Sequence, residues 1–184
     1  MQPSDAERLA YGLLAGTGDR WRHTRGVARR AAGLAGPLGV DPDLLVSAAW
    51  LHDIGYAVPV TGFHPLDGAD HLIAYGAPPR LAALVAHHSG ARFAAAALGL
   101  GDALARYPDE GGPVADALTY ADQTVGPRGD VTTPDERYAE MLRRQGPDSA
   151  NARAHPWRSA YLRAVVHRVE DRLSARRPAV LIHG

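Results

Sequence analysis

The sequence of 184 residues predicts an all-α, single-domain protein. Three observations carry that expectation. Apolar residues recur at three- and four-residue spacing, Ser, Thr, Asp and Pro stand where such stretches begin, and no stretch of any length shows the two-residue alternation of a strand. The chain is long enough for one full core and too short for two comfortable ones. Residues 1–184 are therefore read as one unit, with a motif-bearing core at about 19–130 and C-terminal helices at about 134–176.

Taken in order, Ser4 and Glu7 form a capping box at the head of a helix reaching about residue 14, with Leu9, Leu13 and Leu14 on its apolar side. Glycines at 16–18 stop it. Asp19 caps a second helix in which Trp21, Thr24, Ala28, Ala31 and Ala35 recur at helical spacing, and Gly36 with Pro37 ends it. His23 lies in this helix beside the apolar stripe. Asp41 and Pro42 open a third helix as N-cap and first turn; Leu44, Leu45, Ala48, Ala49 and Leu51 make it apolar enough to be mostly buried, and Gly55 closes it. A turn-rich link at 56–63 leads to a fourth helix that begins at His64-Pro65 and runs to about 75. The breakers at 76–79 prime a fifth, LAALVAHH at 81–88, which finishes at Ser89-Gly90.

A helical piece at 92–98 precedes a glycine- and proline-rich loop at 99–113, long enough to act as a lid. Helix resumes over 114–124, and 126–129 is a turn. Thr133-Pro134-Asp135-Glu136 joins a capping box to a proline at the first helical position, and Gly146-Pro147 ends the helix it starts. A last helix covers about 156–176, with a partly loose tail after it.

Composition removes several function classes. The formal net charge is zero and no basic block stands out, which argues against nucleic-acid or membrane partners held by charge. The absence of cysteine excludes disulfides, thiolate catalysis and cysteine-held zinc or iron–sulfur sites. All 20 basic residues are arginine, so a Schiff-base lysine and a P-loop lysine are excluded as well. No charged segment followed by an apolar run opens the chain, and nothing is long and apolar enough to span a bilayer; a soluble, cytoplasmic protein is expected.

The stretch SAAWLHDIGY at 47–56 sets His52 and Asp53 side by side where an apolar helix ends. Asp53 there has left water and sits at the negative end of a helix dipole, two penalties that a bound cation removes. Alone, such a dipeptide is the pattern of a hydrogen-bonded buried pair. Here five separate segments deliver a donor at or near the interior: His23, His52 with Asp53, His64, His87 with His88, and Asp122. Imidazole and carboxylate together make a hard to borderline site that suits Mn, Fe, Co or Ni, with Mg and Zn also compatible, and the donors suffice for one or two ions with water completing the shell.

The stretches WRHTRGVA at 21–28, AAWLHDIG at 48–55, HPLDGA at 64–69, VAHHSG at 85–90 and YADQT at 120–124 resemble, in order and context, the HD superfamily of metal-dependent phosphohydrolases. The resemblance covers residues 22–129. It implies that His23, His52, Asp53 and Asp122 hold a first metal. In the binuclear branches, residues matching His64 and His87 add a second, bridged by the aspartate matching Asp53, with His88 replacing or supplementing His87 or supporting the ligands from outside. The implied activity is hydrolysis of a small phosphorylated metabolite or nucleotide by metal-activated water, with His52 and Asp53 at the centre of the chemistry.

Departures from the family pattern narrow that expectation. Tyr56 and Ala57 stand where nucleotidase and alarmone-hydrolase branches place a carboxylate, the Gly-Tyr-Pro signature of the cyclic dinucleotide branch is absent, and many binuclear members have lysine where this chain has Tyr56. Arg22, Arg92 and Arg128, close in sequence to His23, His88 and Asp122, are with Tyr56 the expected substrate contacts. Asp67, one turn after His64, is either an acid/base group or an early-helix carboxylate favoured by the dipole. His71, His155, His167 and His183 match no family motif and are read as structural or surface residues. The same fold and ligand set also resemble the di-iron oxygenases that act on myo-inositol and on phosphonates, and a non-catalytic metal or metabolite sensor is the third alternative.

Overall fold

The computed structural model describes residues 1–176; the remaining eight, which include His183 and the tail, lie outside the described residues. Among the described residues there are ten α-helices and no strand beyond one isolated antiparallel bridge between Val125 and Val131. They are α1 (Pro3–Leu14), α2 (Asp19–Leu38), α3 (Pro42–Leu51), α4 (His64–Ala74), α5 (Pro79–His87), α6 (Ala91–Leu98), α7 (Gly101–Leu104), α8 (Gly112–Gln123), α9 (Pro134–Gln145) and α10 (Ala150–Ala175).

The caps legible in the sequence set several boundaries. The Asp41 carboxylate accepts from the backbone N–H of Asp43 and Leu44, and Thr133 accepts from Glu136, whose carboxylate returns to the Thr133 N–H. Other boundaries differ from expectation. Helix α2 runs through Gly36 and Pro37 to Leu38, because a proline in the last turn removes a single hydrogen bond while Gly39, at φ 63°, supplies the left-handed stop. Helix α10 starts six residues earlier than Pro156, at Ala150, because the Ser149 hydroxyl accepts from the Ala152 N–H and starts it there. Within the expected loop at 99–113, residues Gly101–Leu104 form the single turn α7.

Helices α2, α3 and α8 form the centre, with α1 against α3, α5 beside α3, α4 on α5, and α10 across α6 and α8. Their contact faces are rich in alanine: Ala31, Ala48, Ala49, Ala117 and Ala121 are fully buried among Val27, Leu45 and Leu118. Small side chains let helix axes approach, and two glycines carry this to backbone contact. A Cβ on Gly26 of α2 would lie 2.7 Å from the Gly129 Cα, so the 126–130 turn seats directly on α2. A Cβ on Gly55 would lie 2.7 Å from the Gly68 nitrogen and nearer still to the His64 carbonyl oxygen, so the turn after α3 abuts the first turn of α4. Asp116 of α8, 3 % exposed, accepts from Arg168 at 2.6 and 2.9 Å and from Arg172 at 2.9 Å, which fastens α10 to the bundle. No helix among the described residues is long and apolar enough to cross a membrane.

Candidate metal centre

The two glycine approaches set out above determine what faces what. Seating 126–130 on α2 brings the Gly126 carbonyl to the imidazole of His23, whose Nδ1 lies 3.1 Å from it, while Nε2 lies 3.0 Å from Asp122 Oδ1. Burial holds the His23 imidazole below its ordinary pKa despite Asp122, so the ring is neutral. A neutral ring has one proton for two acceptors, and one of the two contacts therefore lacks a hydrogen. His52 shows the same design more plainly. Its Nδ1 donates to the Ala49 carbonyl at 2.8 Å, and its buried Nε2 has no hydrogen-bond partner, facing Asp53 Oδ2 at 3.4 Å and Asp122 Oδ1 at 3.9 Å. His88 likewise gives Nδ1 to the Val85 carbonyl at 2.6 Å and presents Nε2 inward. Tying one ring nitrogen to a backbone carbonyl fixes the tautomer and aims the other nitrogen's lone pair, the arrangement found behind metal-bound histidines.

Asp53 stands between two groups of donors. His23 and His52 lie on its Oδ2 side, at 3.9 and 3.4 Å, and His64 Nε2 is 3.3 Å from Oδ1, with His88 Nε2 3.4 Å beyond His64. Two sets, His23 with His52 and Asp53, and Asp53 with His64 and His88, each bring their donor atoms within 4.8 Å of one another. Burial alone would raise the Asp53 carboxyl, but Arg20, His52 and His64 outweigh it and hold Asp53 well below the usual carboxylate range. Asp122, where burial is opposed by His23, His52 and Arg137, is held well below it too. Burial drives His64 well below its ordinary value and lowers His88, whereas at His52 the burial penalty is outweighed by Asp53 and the imidazole is raised. Two ionised carboxylates facing the lone pairs of the neutral His23, His64 and His88 rings at these distances repel unless a cation lies among them; this donor set, with His52 as a further imidazole, fits one.

The backbone after α5 decides which of two adjacent histidines belongs. His88 leaves the helix with ψ 147°, and Ser89 takes the left-handed conformation at φ 53°, rare for a residue with a side chain. That kink turns His88 into the centre. The expectation for His87 is corrected: as the last residue of α5 it points away, with Nε2 2.8 Å from the Tyr107 carbonyl and Nδ1 3.8 Å from Asp109. Ser89 itself donates to Asp122 Oδ2, to which Gln123 donates at 2.9 Å, so that oxygen is satisfied and Oδ1 is left to face His23 and His52.

Asp67 and the three arginines also need correction. Asp67, 2 % exposed, accepts from the Thr61 N–H at 2.8 Å, the Thr61 hydroxyl at 2.7 Å and the Gly62 N–H at 3.1 Å. It holds the 61–63 link in place and is not among the donors grouped around Asp53. Arg22 is exposed and pairs with Asp19, Arg92 pairs with Asp109 and lies over Tyr161, and Arg22 and Arg128 line a surface groove away from the donors. For Arg22 helical geometry is the reason: a neighbour one position along points about 100° away, whereas one at i–3 shares the face. The arginine three residues before His23 meets that condition. Arg20 pairs with Asp53 Oδ2, and its guanidinium lies 3.9 Å over the Tyr56 ring, which stacks on His64 at 4.1 Å.

A cavity of about 90 Å³ opens onto the donors, with Arg20, Asp53, Tyr56, His64, His88 and Asp122 on its inner wall. Helices α9 and α10 supply the outer wall through Arg137, Tyr138, Met141, Arg144, Arg158 and Leu162. His155 also lines it, stacked on Tyr138 with centroids 3.4 Å apart, and so is neither remote nor a plain surface residue. Nothing local in the sequence marks residues 137–163 as part of this cavity; packing of α10 across α6 and α8 brings its residues there, and the Tyr138–His155 stack ties α9 to α10.

Among known proteins, the model of the HD domain family matches residues 20–128. No curated protein and no solved structure matches the chain.

Proposed function

Because the chain belongs to the HD domain family, which includes metal-dependent phosphohydrolases, we propose that it hydrolyses a small phosphorylated metabolite or nucleotide. The observation that carries this reading is the set of buried imidazoles, each with Nδ1 on a backbone carbonyl, whose Nε2 atoms converge with Asp53 and Asp122 at the floor of a cavity. His23, His52, Asp53 and Asp122 would hold one divalent ion, and Asp53, His64 and His88 a second. A bound divalent ion supplies water of lowered pKa, from about 15.7 towards about 7, and polarises a phosphoryl oxygen. The chain's own groups hold the rest of the arrangement. Ser89 and Gln123 occupy the second Asp122 oxygen, Arg20 neutralises Asp53, and Tyr56 stacks on the His64 ring.

The test is a panel of nucleotides, dinucleoside polyphosphates and sugar phosphates assayed with Mn and, separately, with Fe under air and under nitrogen. Metal-dependent release of phosphate or nucleoside monophosphate at equal rates with and without oxygen is expected. Turnover that requires both Fe and oxygen refutes hydrolysis and assigns the centre to an HD-fold di-iron oxygenase. Tight binding of one metabolite without turnover assigns it to a sensor.

A further inference from the structure

The cavity wall carries five arginines, Arg20, Arg137, Arg144, Arg158 and Arg163, against three carboxylates, Asp53, Asp122 and Asp135. Two of the five are partly buried and have N–H donors left unmet. Arg158, on α10, donates Nε to the Ser89 carbonyl at 2.7 Å and Nη1 to Asn151 Oδ1 at 3.4 Å, both neutral oxygens, and among the described residues no carboxylate lies within ion-pair distance of it. Three of its five N–H groups remain for something else. Arg137, on α9, is 11 % exposed; its Nη1 donates to Glu140 at 2.6 Å, its Nη2 stands 4.0 Å from Asp122 Oδ1, and its buried Nε has no partner. A half-buried guanidinium held only by carbonyls, beside another with an unmade buried donor, is costly unless an anion completes both.

The two are anchored to the metal centre and to each other. The carbonyl that fixes Arg158 belongs to Ser89, whose hydroxyl is on Asp122, and the left-handed turn at Ser89 aims both groups at once. The Tyr138–His155 stack, at an interplanar angle of 8°, clamps α9 to α10 beside them. Both helices lie beyond the matched stretch 20–128. We infer that Arg137 and Arg158 form the oxyanion subsite of the cavity, taking a tetrahedral dianion such as a phosphoryl group against the face of the centre that carries Asp122. A planar guanidinium matches two oxygens of such a group at once. At about 90 Å³ the cavity suits a group of that size rather than a whole nucleotide, for which pockets run from about 300 Å³ upward, so the organic part of a larger substrate would extend past the rim.

This assignment rests on the phosphohydrolase reading of the centre but is tested apart from turnover. The affinity of Mn-loaded protein for inorganic phosphate is measured by calorimetry for wild type, Arg137→Met, Arg158→Met, Arg158→Lys and, as a control, Arg22→Met, with bound metal and helicity recorded for each. Loss of an ion-supported hydrogen-bonding group is expected to weaken phosphate binding about tenfold or more in Arg137→Met and Arg158→Met. Arg158→Lys, which keeps charge but not the fork, should fall between, and Arg22→Met should match wild type. Should Arg158→Met also shed metal or helicity, Arg137→Met and Arg158→Lys decide: weakened phosphate at full metal content in either upholds the subsite, and wild-type affinity in both overturns it. Phosphate binding that ignores these arginines in an active hydrolase overturns the subsite alone. Arginine-dependent binding without any hydrolysis overturns the activity and leaves the subsite standing.

Discussion

Substituting Gly55 by alanine tests whether backbone contact, rather than side-chain chemistry, assembles the second half of the centre. The added methyl would stand 2.7 Å from the Gly68 nitrogen and 2.8 Å from the His64 carbonyl carbon. Both are backbone atoms within a helix, so no rotamer change relieves the clash, and restoring ordinary contact requires the first turn of α4 to withdraw by roughly 1 Å. Overpacking of this kind costs about 3 kcal/mol, and for a chain of 184 residues that lowers Tm by roughly 6–12 °C. His64 sits on that first turn, 3.3 Å from Asp53, so the same shift should empty the ion held by Asp53, His64 and His88 while leaving the other. Thermal melts followed by circular dichroism, with metal content by elemental analysis, read both effects. Gly12→Ala is the control, since nothing lies within 4 Å of a Cβ there and a helix-interior glycine replaced by alanine should gain about 1 kcal/mol. A Gly55→Ala protein with wild-type Tm and undiminished metal would refute the reasoning.

Adjacent histidines should part company. His88→Ala is expected to lower metal content by one ion per chain, while His87→Ala keeps the metal and loses only about 1 kcal/mol with its Tyr107 contact; elemental analysis giving the reverse pattern would restore His87 to the ligands. Asp67→Ala should destabilise the fold by about 2–3 kcal/mol in urea unfolding, because it removes three hydrogen bonds that Thr61 and Gly62 make to a buried carboxylate, yet leave the pH profile of kcat unchanged; loss of one limb of that profile would make Asp67 an acid or base. The metal-free protein should lose stability on acidification below about pH 4, the ordinary carboxylate range. Asp53 and Asp122 titrate lower when folded than when unfolded, so the unfolded chain takes up protons first, and the stability they lend above that range disappears as pH falls towards their folded values. Urea midpoints in EDTA that stay level between pH 5 and pH 3 would contradict this.

Much of the fold is written locally. The Asp41-Pro42 start and the Thr133-to-Glu136 box are short-range hydrogen-bond patterns, and the structure forms both. The gathering of His23, His52, Asp53, His64 and Asp122 follows from helical faces that a sequence displays. His88 could not be chosen over His87 in the same way, because periodicity assumes an unbroken helix, whereas α5 ends at His87 and His88 leaves it at ψ 147°. Arg22 is the wrong arginine for a related reason: adjacency on a helix separates directions, whereas Arg20, at i–3 from His23, shares its face, and Arg92 and Arg128 lie beyond breaks in the helices that carry His87 and Asp122. Arg137 and Arg158 come from the packing of α9 and α10 over the cavity, which no local pattern encodes. Asp67 was ambiguous because the 61–63 link that consumes its oxygens has no regular structure to anticipate.

The central claim is that Asp53 joins two metal-binding groups, and metal content per chain tests it most directly. Protein saturated with Mn and freed of excess by gel filtration should hold two ions as wild type and none as Asp53→Asn, with helicity retained, since one carboxylate faces both His23 with His52 and His64 with His88. Equal Mn in the two proteins, or none in wild type, would contradict it.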